Sequence, residues 1–260
     1  ENIYDRQNTH LDISFNYLKL IDIAKVAIAI PDLSDHIITH LTDNEISGEL
    51  IDGKFSYDAN AQPEEKFHYN TNFRGIDTAF LGIDPNISEL SGGIYGNEHK
   101  GNVSFNDDFA LIKHINGNDS VKINGEIFWD RRDNIYSLNT NGLRIENENI
   151  QSQLTGAFKK STDKTFVDIM LDLNGEDIQK IIMYMPYTAK FRARDWIQRS
   201  ITAGKVSNFK LILRGEPKHF PFDEYKGQFL ASAKIDDANF PKLIKQILSN
   251  KRIFVAGAGR

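Results

Sequence analysis

VKINGEIFWD, Val121 to Asp130, is the stretch on which the fold of this chain turns. Side chains alternate faces along a strand. Val121, Ile123, Gly125, Ile127 and Trp129 therefore share one side, while Lys122, Asn124, Glu126 and Asp130 lie opposite. One greasy side and one wet side is the pattern of an antiparallel strand with a single covered face. Within it, INGEI (123–127) places a glycine between two apolar residues of the same face. Four more segments do the same: ISGEL (46–50), LSGGI (90–94), LTGAF (154–158) and YKGQF (225–229). Glycine weakens a strand, so its recurrence points to a bend, a bulge or a close approach that a Cβ would block. Five copies point to a repeated sheet unit.

The same alternation recurs on both sides of this stretch, at Val103 and Phe105, and at Val167, Ile169, Leu171 and Leu173 against Asp168 and Asp172. Clusters such as Asp52-Gly53, Asn116 to Asp119 and Asn141-Gly142 read as the turns between successive antiparallel strands over residues 46–173. Strands resume over 206–236. Two helical pairs flank them. The first spans 18–42 and is split by Pro31, with Lys19, Asp22 and Lys25 on a polar face and Ile37, Ile38 and Leu41 on an apolar one. The second spans 176–203: Ile178, Ile181 and Ile182 fall at helical spacing up to Met185-Pro186. Ala193, Trp196, Ile197 and Ile201 then form a stripe that Gly204 ends. Pro241 to Asn250 reads as a further helix.

Composition agrees with a β-dominated globular chain. Its 260 residues are 40% hydrophobic, with Gly and Asn rather than Pro as punctuation. The formal net charge of −5 and the lack of a basic stripe mixed with aromatics disfavour a nucleic-acid partner. Without cysteine there is no disulfide, thiolate chemistry or cysteine-type zinc site. The longest apolar run, Ile23 to Ile30, is broken by Lys25 and falls short of the roughly 20 residues of a membrane-spanning helix. A start at Glu1 suggests a piece of a longer protein.

Reactive constellations are weak throughout. His36 and His40 lack the glutamate of a metalloprotease helix, Ile37 standing in its place. Asp84, Asn86 and Ser88 begin like a calcium loop but continue with Glu89 and Tyr95 where glycine and glutamate are required. Gly92, Gly93 and Gly96 have no lysine of a phosphate cradle. Among 36 acidic residues, pairs such as Asp107–Asp108 and Asp236–Asp237 read as solvated faces rather than glycosidase carboxylates. The basic stretch with Lys190, Arg192, Arg194 and Arg199 reads as a helix covering the sheet, with a membrane-surface role as the rival. No catalytic residue, metal ligand or cofactor is expected.

The segment Asp195 to Phe229, DWIQRSITAGKVSNFKLILRGEPKHFPFDEYKGQF, resembles the central region of AsmA-like proteins of the YhdP type. The resemblance rests on Trp196-Ile197, Gly204-Lys205-Val206, Leu213-Arg214-Gly215, Phe220-Pro221-Phe222 and Gly227-Gln228-Phe229. Pro85 to Gly101 and GEIFW (125–129) look like strand repeats of the same family. The helical reading of 241–250 departs from it. The resemblance implies a periplasmic segment of a protein anchored in the inner membrane by a part outside this chain. Such a protein guides phospholipids between inner and outer membranes along a repeating β-groove.

The expected architecture is mainly β (α+β), one continuous segment: an extended, twisted antiparallel sheet curled into a groove, with the two helical pairs at its flanks. Strand alternation nominates Ile46, Leu50, Ile94, Val103, Phe105, Ile123, Ile127, Trp129, Leu154 and Phe158 as the lining that phospholipid acyl chains would touch. The rivals are a structural or interaction module with a closed core and, with less support, an envelope glycoside hydrolase.

Overall fold

Alternating segments build one strand after another, each hydrogen-bonded to the next. A computed structural model describes residues 10–23, 47–81, 86–114, 116–185, 197–220, 222 and 226–239. The first strands are β1 (His10–Lys19), β2 (Glu49–Asp58), β3 (Phe67–Ile76), the two-residue β4 (Ile87–Ser88) and β5 (Leu90–Gly96). The long β6 (Lys100–His114) and β7 (Gly117–Arg132) follow, then β8 (Ile135–Glu146), β9 (Ile150–Lys160) and β10 (Thr165–Gly175). The helix α1 (Ile178–Met183) precedes β11 (Ala203–Gly215) and β12 (Gly227–Asn239). All twelve strands form one sheet in the order β1-β2-β3-β5-β6-β7-β8-β9-β10-β11-β12, with β4 paired to β6. Every pairing is antiparallel. The sheet is curled but unclosed, as expected.

The strands bend where an extra residue interrupts the ladder, and seven of the eleven pairings carry such a register shift. Asp52, Asp107 and Asn208 sit at three of them with φ of 51°, 59° and 53°. Asp and Asn tolerate this left-handed region better than other side chains. A bulge bends the strand and advances its alternation by one. In β6, Phe105 is buried before the bulge, and Ala110 and Ile112 after it. Asp52-Gly53 and Asn141-Gly142, read from sequence as turns, lie inside β2 and β8 at these shifts. The chain runs on through them.

Two of the recurrent glycines mark places where neighbouring backbones touch. A Cβ on Gly156 (φ +153°) would strike the Asp168 carbonyl of β10. One on Gly125 (φ +129°) would stand 2.5 Å from the Gly142 carbonyl of β8.

The inner face is driest toward the α1 end. Phe73, Phe105, Ala110, Ile112, Val121, Ile123 and Leu143 form one buried cluster there. Ile178 and Ile182 of α1 join Leu173, Ile201, Val206 and Ile235 in a second. Asp177 caps α1 by accepting a bond from the Gln179 N–H at 2.9 Å. The second helical pair thus appears as α1 and a helical turn at 197–200, while Gly204 belongs to β11 rather than to a helix stop. The first pair is only partly visible: Leu18 and Lys19 end strand β1 and 20–23 are helical. Residues 24–46, the basic stretch up to Trp196 and the helical reading of 241–250 lie outside the described residues.

Candidate functional site

A row of apolar residues and glycines crosses the inner face at the end remote from α1. Its register runs Ile13–Phe55–Tyr69–Gly96–Gly101 through β1, β2, β3, β5 and β6. It continues Trp129–Leu138–Phe158–Val167 through β7 to β10 and closes with the pair Gly215–Gly227 on β11 and β12. No charged side chain interrupts this ladder among the paired residues. Ile13 and Leu138 are each 45% exposed, so apolar surface remains open along it.

The glycines of the row come as cross-strand pairs, and each pair carries one aromatic ring. Trp129 lies against Gly96 and Gly101, where a Cβ would run into its ring. It stacks on Tyr69 with centroids 6.3 Å apart and planes 12° from parallel. Its indole Nε1–H donates to the Asn97 carbonyl at 2.9 Å, which also accepts from the Tyr69 hydroxyl at 3.3 Å. Phe222, fully buried, crosses the Gly215–Gly227 pair from the β11–β12 loop with φ 72°.

The nominated lining residues divide by depth. Trp129 and Phe158 stand on the ladder. Leu50, Ile94, Val103, Ile127 and Leu154 are half-buried against the first core cluster. Phe105 and Ile123 belong to that core, 6% and 2% exposed. Ile46 lies outside the described residues. Sequence reading did not nominate Phe55, Tyr69, Leu138, Val167 or Phe222. The first four follow from alternation carried through the bulges, whereas Phe222 sits in a loop and has no periodic signal.

The opposite face is wet. Cross-strand pairs such as Arg74–Glu49 (2.7 Å) and Arg214–Asp168 (3.5 Å) line it, worth little individually because they are exposed. At the α1 end, the Tyr184 hydroxyl donates to Asp119 and accepts from Asn147. Burial would raise the Asp119 pKa, but the Tyr184 hydroxyl and the nearby His114 imidazole outweigh it and hold it low. Burial and Asp119 push Tyr184 up. The His114 ring stands 3.3 Å from Asp119 without forming a hydrogen bond. Among the described residues no group of side chains could hold a metal ion, and no helix is long and apolar enough to cross a membrane.

An open, curled antiparallel sheet with an apolar inner face and a charged outer one defines a trough-forming β protein. The family model for the YhdP protein matches residues 2–241, and the chain belongs to that family. Neither the curated proteins nor the solved structures contain a match.

Proposed function

We propose that this segment binds the acyl chains of phospholipids along its inner face and guides them between the inner and outer membranes, with headgroups left in water and no reaction catalysed. In this reading the chain works in the periplasm, and the protein is held at the inner membrane by a segment outside this chain. The observation that carries the proposal is the ladder of apolar and aromatic residues that crosses the sheet without a charged interruption and stays partly open at Ile13 and Leu138. A chain of ~16 methylenes, at ~0.8 kcal/mol each, loses on the order of 13 kcal/mol on entering water. A continuous trough removes that penalty at every point of passage, whereas a closed pocket would hold the lipid in one place. Membership of the YhdP family is consistent with a lipid-related role in the envelope.

The dry half of the inner face, with Ile123 2% exposed, favours instead a spacer or partner platform with a closed core. Organic extraction of the purified chain followed by lipid mass spectrometry separates the two. Phospholipid should co-purify with the wild type and be lost from the Ile13→Asp/Leu138→Asp double variant while circular dichroism stays unchanged. A lipid-free wild type overturns the trough reading. Half-exposed positions suit this test because a carboxylate at Ile123 would have to be buried, which unfolds a core.

A further inference from the structure

One step beyond the apolar ladder, toward the strand ends remote from α1, the inner face changes character. The next inward positions are Leu11, Tyr57 and Phe67 on β1 to β3, then Arg131, Tyr136 and Lys160 on β7 to β9. Two residues along a strand span about 7 Å, so this second row runs beside the ladder as its rim. Its first part is aromatic: the Tyr57 and Phe67 rings lie with centroids 4.8 Å apart, and Phe67 is 38% exposed. Its second part is cationic. The Arg131 guanidinium stands 5.1 Å from the centroid of the exposed Tyr136 ring, a contact that holds it in place. Lys160 flanks Tyr136 on the other side, two strands from Arg131 and hence about 10 Å from it along the backbone ladder.

The cations of the opposite face are engaged by carboxylates, as in Arg74–Glu49, Arg132–Asp130, Lys210–Asp172 and Arg214–Asp168. Among the described residues Arg131 and Lys160 form no ion pair, and Asp133 and Asp163 of the adjoining connections reach neither. Two unpaired cations around an aromatic ring, at the border of an apolar surface, match the chemistry of an anionic lipid at its water boundary. The guanidinium fork suits a phosphate bidentately, and the ammonium adds a second charge on a flexible stem.

We infer that this rim takes the phosphate of an anionic phospholipid whose acyl chains lie on the ladder, with Arg131 and Lys160 as the cations that hold it. The inference rests on the lipid reading above. It makes the inner face selective for headgroup charge, which the apolar ladder alone is not.

The test follows the Trp129 indole N–H, one of only two in the 260-residue chain, by NMR. The whole chain is titrated at low salt with dihexanoylphosphatidylglycerol, with uncharged dihexanoylglycerol and with inorganic phosphate. The phospholipid should bind about tenfold more tightly than the diacylglycerol, the size that two exposed charge contacts supply, and high salt should narrow the gap. An Arg131→Gln/Lys160→Gln double variant should lose the preference without weakening diacylglycerol binding. Arg132→Gln/Lys159→Gln, which removes the same charge from the opposite face, should keep it. Glutamine leaves a long polar side chain at each surface position, and unchanged circular dichroism verifies the fold. Equal affinity of the wild type for the two lipids, or loss of the preference in both double variants, overturns the rim and leaves the trough standing. Binding of neither lipid overturns both. Inorganic phosphate matching the phospholipid in affinity overturns the lipid as the occupant.

Discussion

At the scale of single residues, the glycines of the ladder act as seats. Gly101 shows it most clearly: an added Cβ would meet the Trp129 ring and the Tyr95 carbonyl, one of which is backbone and cannot yield. Gly101→Ala should therefore cost about 2–3 kcal/mol in urea unfolding, the range for overpacking a filled site. Gly117→Ala, where nothing lies within 4 Å of the added atom but φ is +140°, should cost only about 1 kcal/mol of backbone strain. A double-mutant cycle sharpens the contrast. Once Trp129 is replaced by alanine, the penalty of Gly101→Ala should shrink, because the ring half of the clash is gone. Equal penalties in both backgrounds would mean that the ring is not seated on the glycine. Of the ladder glycines that seat a ring, the recurrent sequence pattern located Gly227 alone. It did not identify what approaches, since Trp129 reaches Gly96 through strand pairing and Phe222 arrives from a loop.

At the scale of elements, α1 is tied to the sheet by Tyr184 and Asp119, and the tie is pH-dependent at both ends. Asp119 is held below the usual aspartate value of 3.8, so its contribution is complete above that pH and is lost as pH falls through the lower folded value. Tyr184 is held above the usual 10.0, so its contribution is complete below pH 10 and is lost as pH rises through the higher folded value. The advantage of wild type over Tyr184→Phe in urea midpoint should thus be flat between about pH 4 and pH 10 and narrow on either side. A pH-independent difference would assign Tyr184 to packing alone. Shortening the α1 cap by Asp177→Ala should cost about 1 kcal/mol without altering that profile.

The bulges are the elements that sequence reading misassigned. Asp52-Gly53 carries the composition of a hairpin turn because a turn and a bulge make the same demand, a residue comfortable at positive φ, whereas neither Asn141 nor Gly142 has a positive φ and that shift rests on something else. Local chemistry cannot separate them. What separates them is whether the strand continues, and β2 continues through Lys54 to Asp58 against both β1 and β3. Alternation nominates residues of one face, whereas depth along the curl follows from register and helix placement. Phe105 and Ile123 are read as lining yet lie in the core.

At the scale of the whole molecule, protection is graded across the sheet. Among the described residues strand β1 pairs with β2 alone and is exposed along almost its whole length, whereas β6 and β7 are central and carry most of the first buried cluster. Hydrogen exchange should therefore open β1 amides first and those of β6 and β7 last, close to the global unfolding limit. Uniform protection from β1 to β12 would contradict an open sheet with a marginal edge. The β-dominated class was legible because alternation is a long-range signal summed over many residues, and the family because the motifs of Asp195 to Phe229 resemble it. The ring seats were not, since each depends on a few contacts between segments far apart in the chain.

The inserted residues that bend the strands also act as phase shifters. Beyond Asp107, every inward position of β6 is counted from that one residue. Deleting it should leave composition, length and hydrophobicity almost untouched while turning Ala110, Ile112 and His114 toward water and Phe109 and Leu111 inward. For half of a strand, such a deletion amounts to a frameshift written in geometry. A point substitution at the same site is only a local strain. Chains built on this plan should therefore tolerate exchange of side chains along an arm far better than the gain or loss of one residue at its bend.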